Sequence, residues 1–120
     1  MVLKKLLLVM LLCTAGSLHA ATLLATIVVS KLGTQAPGVV SYFGDSTGYG
    51  LANCAYGIWY IDMAPTAPGG ASLGRALLSQ VQLAKALSKP LVRIDYETPV
   101  LTPPAGETKP VCFARLVEMD

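Results

Sequence analysis

The chain has 120 residues, 53% of them hydrophobic and 13% charged, with nine Lys and Arg, seven Asp and Glu, and one histidine. Two of the nine basic residues and the histidine fall within the first 20 positions; the seven basic side chains beyond them balance seven acidic ones, which leaves no positive field for nucleic acid. With no histidine past position 20, a histidine-based triad, an imidazole general base and a histidine metal site are excluded for a chain that has lost those first 20 residues.

Residues 1–20 read as a secretory signal peptide: the basic pair Lys4-Lys5, the apolar run Leu6-Leu7-Leu8-Val9-Met10-Leu11-Leu12, then small and polar residues over 14–17. Cleavage is expected after Ala20, leaving a single domain over residues 21–120 in a secreted or periplasmic setting. The apolar run is far shorter than the ~20 residues that cross a bilayer, so no permanent membrane span is expected. Bulky Leu12 argues against lipid attachment at Cys13.

Residues 25–32 are β-branched and closed off by Gly33 and Pro37-Gly38, the pattern of a first strand. A second apolar piece, 39–43, leads into Gly44-Asp45-Ser46-Thr47-Gly48-Tyr49-Gly50, which predicts a hairpin around an exposed loop. Asp45, Ser46, Thr47 and Tyr49 are the candidate ligand-binding set. A carboxylate and two hydroxyls suit a hydroxyl-rich ligand, and a tyrosine ring suits the apolar face of a sugar; the same residue types also serve ordinary turn geometry. A third strand over 52–63 puts Cys54, Tyr56 and Tyr60 on one face and Trp59 on the other. Neither face is polar, as for a strand covered on both sides. Tyr56, Trp59 and Tyr60 form either an aromatic platform or part of the core, and Trp59 is expected to be buried.

From 72 to 88 the period changes to 3.6, with Leu73, Leu77, Val81 and Ala84 on one side. Ser72 is the expected N-cap, and Pro90 ends the helix. Residues 91–97 alternate again, with Arg93, Asp95 and Glu97 on a wet face near Asp62. Paired carboxylates do acid–base work when burial separates their pKa values; the pattern here reads instead as a solvated face or as an intersubunit salt bridge to Arg93. Prolines mark 99–110 as a loop, and 111–119 forms the last strand. Cys54 and Cys112, the two cysteines left after the leader, read as one disulfide, for which the loop-closure model gives on the order of 4 kcal/mol. Three strands, a helix and two strands make a mainly β fold with one helix: an OB-fold-like five-stranded barrel with the helix between strands 3 and 4.

Three pieces, Cys54-Ala55-Tyr56-Gly57-Ile58-Trp59, the Ala- and Leu-rich helix 72–88, and Lys89-Pro90-Leu91-Val92-Arg93-Ile94-Asp95-Tyr96, resemble the B subunits of AB5 toxins of the subtilase cytotoxin and pertussis-like group. They are also similar to small secreted proteins of Gram-negative bacteria. The resemblance runs from residue 54 to 96. It implies an OB fold, a pentamer and binding of sialylated glycans on host cells, and it carries over no individual glycan-contacting residue. The expected function is therefore a secreted, non-catalytic binding domain, without metal or cofactor, whose partner is a glycan or a protein and which self-associates. The alternative is a periplasmic structural or inhibitor-like module that binds another protein.

Overall fold

The first β-branched stretch is longer than its composition marks, and it is two strands. In the computed structural model, which describes residues 19–45, 53–99 and 105–120, β1 runs His19–Ile27 and β2 runs Val29–Gln35. Then come β3 (Val40–Asp45), a 3-10 turn (Ala55–Gly57), β4 (Trp59–Asp62), α1 (Gly70–Leu87), β5 (Leu91–Thr98) and β6 (Phe113–Met119). The strands form one sheet in the order β1-β5-β6-β4-β3-β2. All its neighbours are antiparallel except β4 and β6, which meet in parallel at Tyr60 and Phe113.

The expectation of a five-stranded barrel with its helix between strands 3 and 4 is corrected here: the described residues form six strands in an open sheet, and the helix lies between β4 and β5. The cause is local to Val28. The β1–β5 register shifts between Leu24 and Ile27, and the β2–β3 register shifts between Val29 and Lys31. Irregularities of this kind bend a strand and increase its twist. With one on either side of Val28, the chain leaves one edge of the sheet and enters the opposite edge within a single residue. The two edge strands thus meet end to end, and among the described residues no ladder joins them.

The expected third strand over 52–63 is also shorter than predicted. Asn53 and Tyr56 adopt left-handed backbone at φ 53° and 59°, which a β-ladder cannot include. The segment is pinned instead to the chain before β6: Cys54 is disulfide-bonded to Cys112, and the Ala55 N–H donates to the Pro110 carbonyl at 2.8 Å. The Tyr56 N–H donates to Glu107 Oε2 at 2.8 Å and the Thr108 N–H to Glu107 Oε1 at 2.9 Å. These bonds, that from Tyr56 first, hold the Glu107 carboxyl below its ordinary range.

A lowered folded-state value means stabilisation that is present above the ordinary value near 4.5 and is lost as the pH falls through the lowered one. Glu107→Gln is therefore expected to lower the denaturant midpoint at neutral pH and to converge on the unsubstituted protein in acid. A deficit that persists unchanged in acid would assign Glu107 to packing alone.

Helix α1 starts two residues before the predicted Ser72 cap. Gly69 occupies the N-cap position at φ 80°, and no side chain caps the helix. The inward face is Gly74, Leu77, Val81 and Ala84, at steps of three and four residues, while Leu87 stays 54% exposed. Gly74 is a packing requirement, because a Cβ there would run into the Asp62 carbonyl and the Met63 side chain. Beneath the helix, the core gathers Ile27, Phe43, Trp59, Ile61, Leu91, Ile94, Cys112 and Ala114. Trp59 stacks on Phe43 with centroids 5.4 Å apart.

Candidate functional site

Strand alternation sends Ser41, Phe43, Trp59, Ile61, Cys112 and Ala114 inward, which turns Tyr42, Tyr60 and Phe113 outward. Register then brings the outward residues to one level: Tyr42 lies opposite Tyr60, Tyr60 opposite Phe113, and Phe113 opposite Glu97. The result is a row of rings across β3, β4 and β6. Tyr42 and Tyr60 centroids are 6.4 Å apart, inclined at 64°, and Tyr60 and Phe113 are 5.8 Å apart, inclined at 38°. All three rings are half-buried.

Each end of the row has a distinct chemistry. At the β2 end, Tyr42 faces Gly33, and its hydroxyl end occupies the space that a Cβ at position 33 would take. The absence of a side chain there lets the tyrosine lie across the neighbouring strand. Gln35 hydrogen-bonds Tyr60, whose hydroxyl is pushed above its ordinary pKa chiefly by burial, so it remains a protonated donor at neutral pH. At the β5 end, the Arg115 guanidinium carbon sits 5.8 Å from the Phe113 centroid, and its Nε donates to Glu97 Oε2 at 3.0 Å.

Two depressions adjoin this Arg115–Glu97 pair. One, of about 240 Å³, is lined by Asp62, Pro68, Glu97, Pro99, Phe113 and Arg115. The other, of about 360 Å³, lies along β1 and includes Thr22, Asp95, Tyr96, Glu97 and Arg115. In the larger one the Asp95 carboxylate is already engaged. It accepts from Thr22 Oγ1 at 2.8 Å and from Arg93 Nε and Nη2 at 3.0 and 2.9 Å. Arg93 first, and Thr22 after it, hold the Asp95 carboxyl below its usual range. The smaller recess offers the more open acceptors: Asp62 Oδ1 takes the Ala64 N–H at 3.0 Å, and Glu97 uses one oxygen for Arg115.

The residues singled out from the sequence are scattered. Asp45 is the last residue of β3, opposite Val29 and only 4% exposed, so it is not presented by a surface loop. Ser46, Thr47 and Tyr49 lie outside the described residues. Trp59 belongs to the core, Tyr56 stands exposed on the 3-10 turn, and Tyr60 alone of the three joins the row. Arg93 and Asp95 form an ion pair within β5. Cys54 and Cys112 are bonded as expected. Tyr42, Phe113 and Arg115 were not among the sequence candidates; the signal for the first two is a ring flanked on both sides by inward-facing residues.

Among the described residues, no group of three or more His, Cys, Asp or Glu is placed to hold a metal ion, and no helix is long and apolar enough to cross a membrane. No family model, curated protein or solved structure matches this chain.

Proposed function

We propose that the protein is a secreted, non-catalytic, glycan-binding domain on an OB-like sheet, similar to a toxin B subunit. The observation that carries this reading is the aromatic row Tyr42–Tyr60–Phe113, bordered by Gln35 at one end and by Glu97 and Arg115 at the other. Rings supply apolar area for the C–H face of a pyranose, and the flanking amide and carboxylates supply hydrogen bonds to its hydroxyls. The balanced charge beyond position 20 supports a sugar over a polyanionic strand, whose binding depends on phosphate neutralisation.

The topology lends support to the OB-like reading. Taken as one bent strand, residues 19–35 pair with β5 through one half and with β3 through the other, as the first strand of a partly open Greek-key barrel does. The Cys54–Cys112 disulfide and the leader-like 1–20 segment support export to an oxidising compartment. Self-association into a ring follows from the toxin analogy and is read by light scattering of the purified domain.

A protein ligand is the second reading. Leu83 and Leu87, one turn apart on the outer side of α1, are 47% and 54% exposed, a surface suited to a protein contact. Titration against an oligosaccharide panel separates the two. For a glycan ligand, Tyr42→Ala is expected to weaken binding by about 1–2 kcal/mol, roughly five- to thirtyfold, with unchanged circular dichroism. Full glycan affinity in Tyr42→Ala would remove the row as the glycan site, and binding of a protein, with no glycan bound, that is lost with Leu83→Ser and Leu87→Ser would move the function to the helix.

A further inference from the structure

We infer that the Phe113 end of the row seats the uncharged terminal ring of the glycan, with the following units laid over Tyr60 and Tyr42. This rests on the glycan-binding reading and narrows it to a ligand class uncharged at its tip, in contrast to the sialylated glycans that the toxin resemblance implies. The first reason is shape. The recess beside Phe113 holds about 240 Å³, below the ~300–1,000 Å³ of pockets that enclose a whole small-molecule ligand, so it accepts one ring rather than a chain.

Pro68, from the β4–α1 connection, and Pro99, directly after β5, line the recess together with Phe113. Away from them the row runs on across the sheet and ends at Tyr42, whose hydroxyl end lies over Gly33. A linear ligand with one ring in this recess has its end at Phe113 and its other units along the rings of Tyr60 and Tyr42.

The second reason is charge. The recess contains two carboxylates, Asp62 and Glu97, and one guanidinium, Arg115, whose Nε is bonded to Glu97. Formal charges of −2 and +1 leave −1. A carboxylated or sulfated ring would bring its anion against Asp62 and would compete with Glu97 for Arg115. A neutral ring meets no such opposition, because ionised carboxylates are acceptors only and sugar hydroxyls are donors. Asp62 Oδ1 is taken by the Ala64 N–H, which leaves Oδ2 for a hydroxyl.

The test is a panel of matched pairs, each a neutral oligosaccharide and the same oligosaccharide capped at its terminal ring by sialic acid or sulfate, titrated against the full protein. The neutral member is expected to bind, and capping to weaken it about tenfold or more. Asp62→Asn retains the Oδ1 acceptor for Ala64 and removes the negative charge, so it is expected to shrink the difference within each pair. Phe113→Ala is expected to lose binding of the neutral members while the circular dichroism spectrum is kept. Equal or tighter binding of the capped members, or neutral binding that survives Phe113→Ala, overturns the inference and leaves glycan binding standing. No binding by either member of any pair overturns the glycan reading itself, and this inference with it.

Discussion

Removing the Cys54–Cys112 bond is expected to cost about 4 kcal/mol of stability, because the cross-link closes a long loop and its loss restores that freedom to the unfolded chain. The two cysteines are 58 residues apart and both are buried. A domain of this size is typically stable by ~5–15 kcal/mol, so the loss is a large share of the whole. The bond also sits where the sheet is least supported by its own ladder. Strands β4 and β6 pair in register at Tyr60 and Phe113, with the Tyr60 N–H donating to the Cys112 carbonyl at 2.8 Å. Cys54 holds the left-handed segment around Asn53 and Tyr56 against that same place.

A Cys54→Ala, Cys112→Ala double variant should therefore melt far below the unsubstituted protein, and reductant should move the unsubstituted protein toward the variant. The proposed glycan binding should fall along with folding, since Phe113 follows Cys112 directly and the Tyr60 N–H donates to its carbonyl. A melting temperature within a degree or two of the oxidised protein would show that the sheet does not depend on the cross-link.

Trp59→Ala is the second large effect, about 3–5 kcal/mol by the general behaviour of buried aromatics. Trp59 is 1% exposed, heads the fully buried side chains by volume, and contributes the stacked contact with Phe43. Truncation removes that transfer energy and leaves a cavity between sheet and helix that the surrounding strands can only partly close. Trp59→Phe gives the internal comparison. The indole N–H meets no acceptor among the described residues, so phenylalanine forfeits volume there without breaking a hydrogen bond. The expected order in chemical denaturation is unsubstituted, then Phe, then Ala, with Phe well inside half of the Ala deficit. A Phe variant as unstable as Ala would mean that the indole nitrogen has a structural partner after all.

Much of the local structure was legible from residue order. The 3.6-residue spacing of Leu77, Val81 and Ala84 marked the helix to within two residues at its start, and the alternation around Ile94 marked β5. The count of two cysteines beyond position 20 marked the disulfide, and the burial of Trp59 followed from its type and setting. Leu87, three residues after buried Ala84, stands exposed.

The candidate loop was chosen by composition, and composition does not say whether a side chain faces in or out; Asp45 closes β3 and faces in. By itself, then, the sequence determined local periods: the helix, the alternation of β5 and which sulfurs pair, but not the division of residues 19–35 into two strands or the left-handed turn at 53–57. The tertiary structure alone decided levels and edges. That Tyr42, Tyr60 and Phe113 stand in one row follows from cross-strand register between residues up to 53 positions apart, and that residues 19–35 divide between the two edges of the sheet follows from two register shifts flanking Val28. Periodicity is a property of neighbours along the chain, whereas register is set by bulges, turns and a cross-link acting between segments that no local pattern connects.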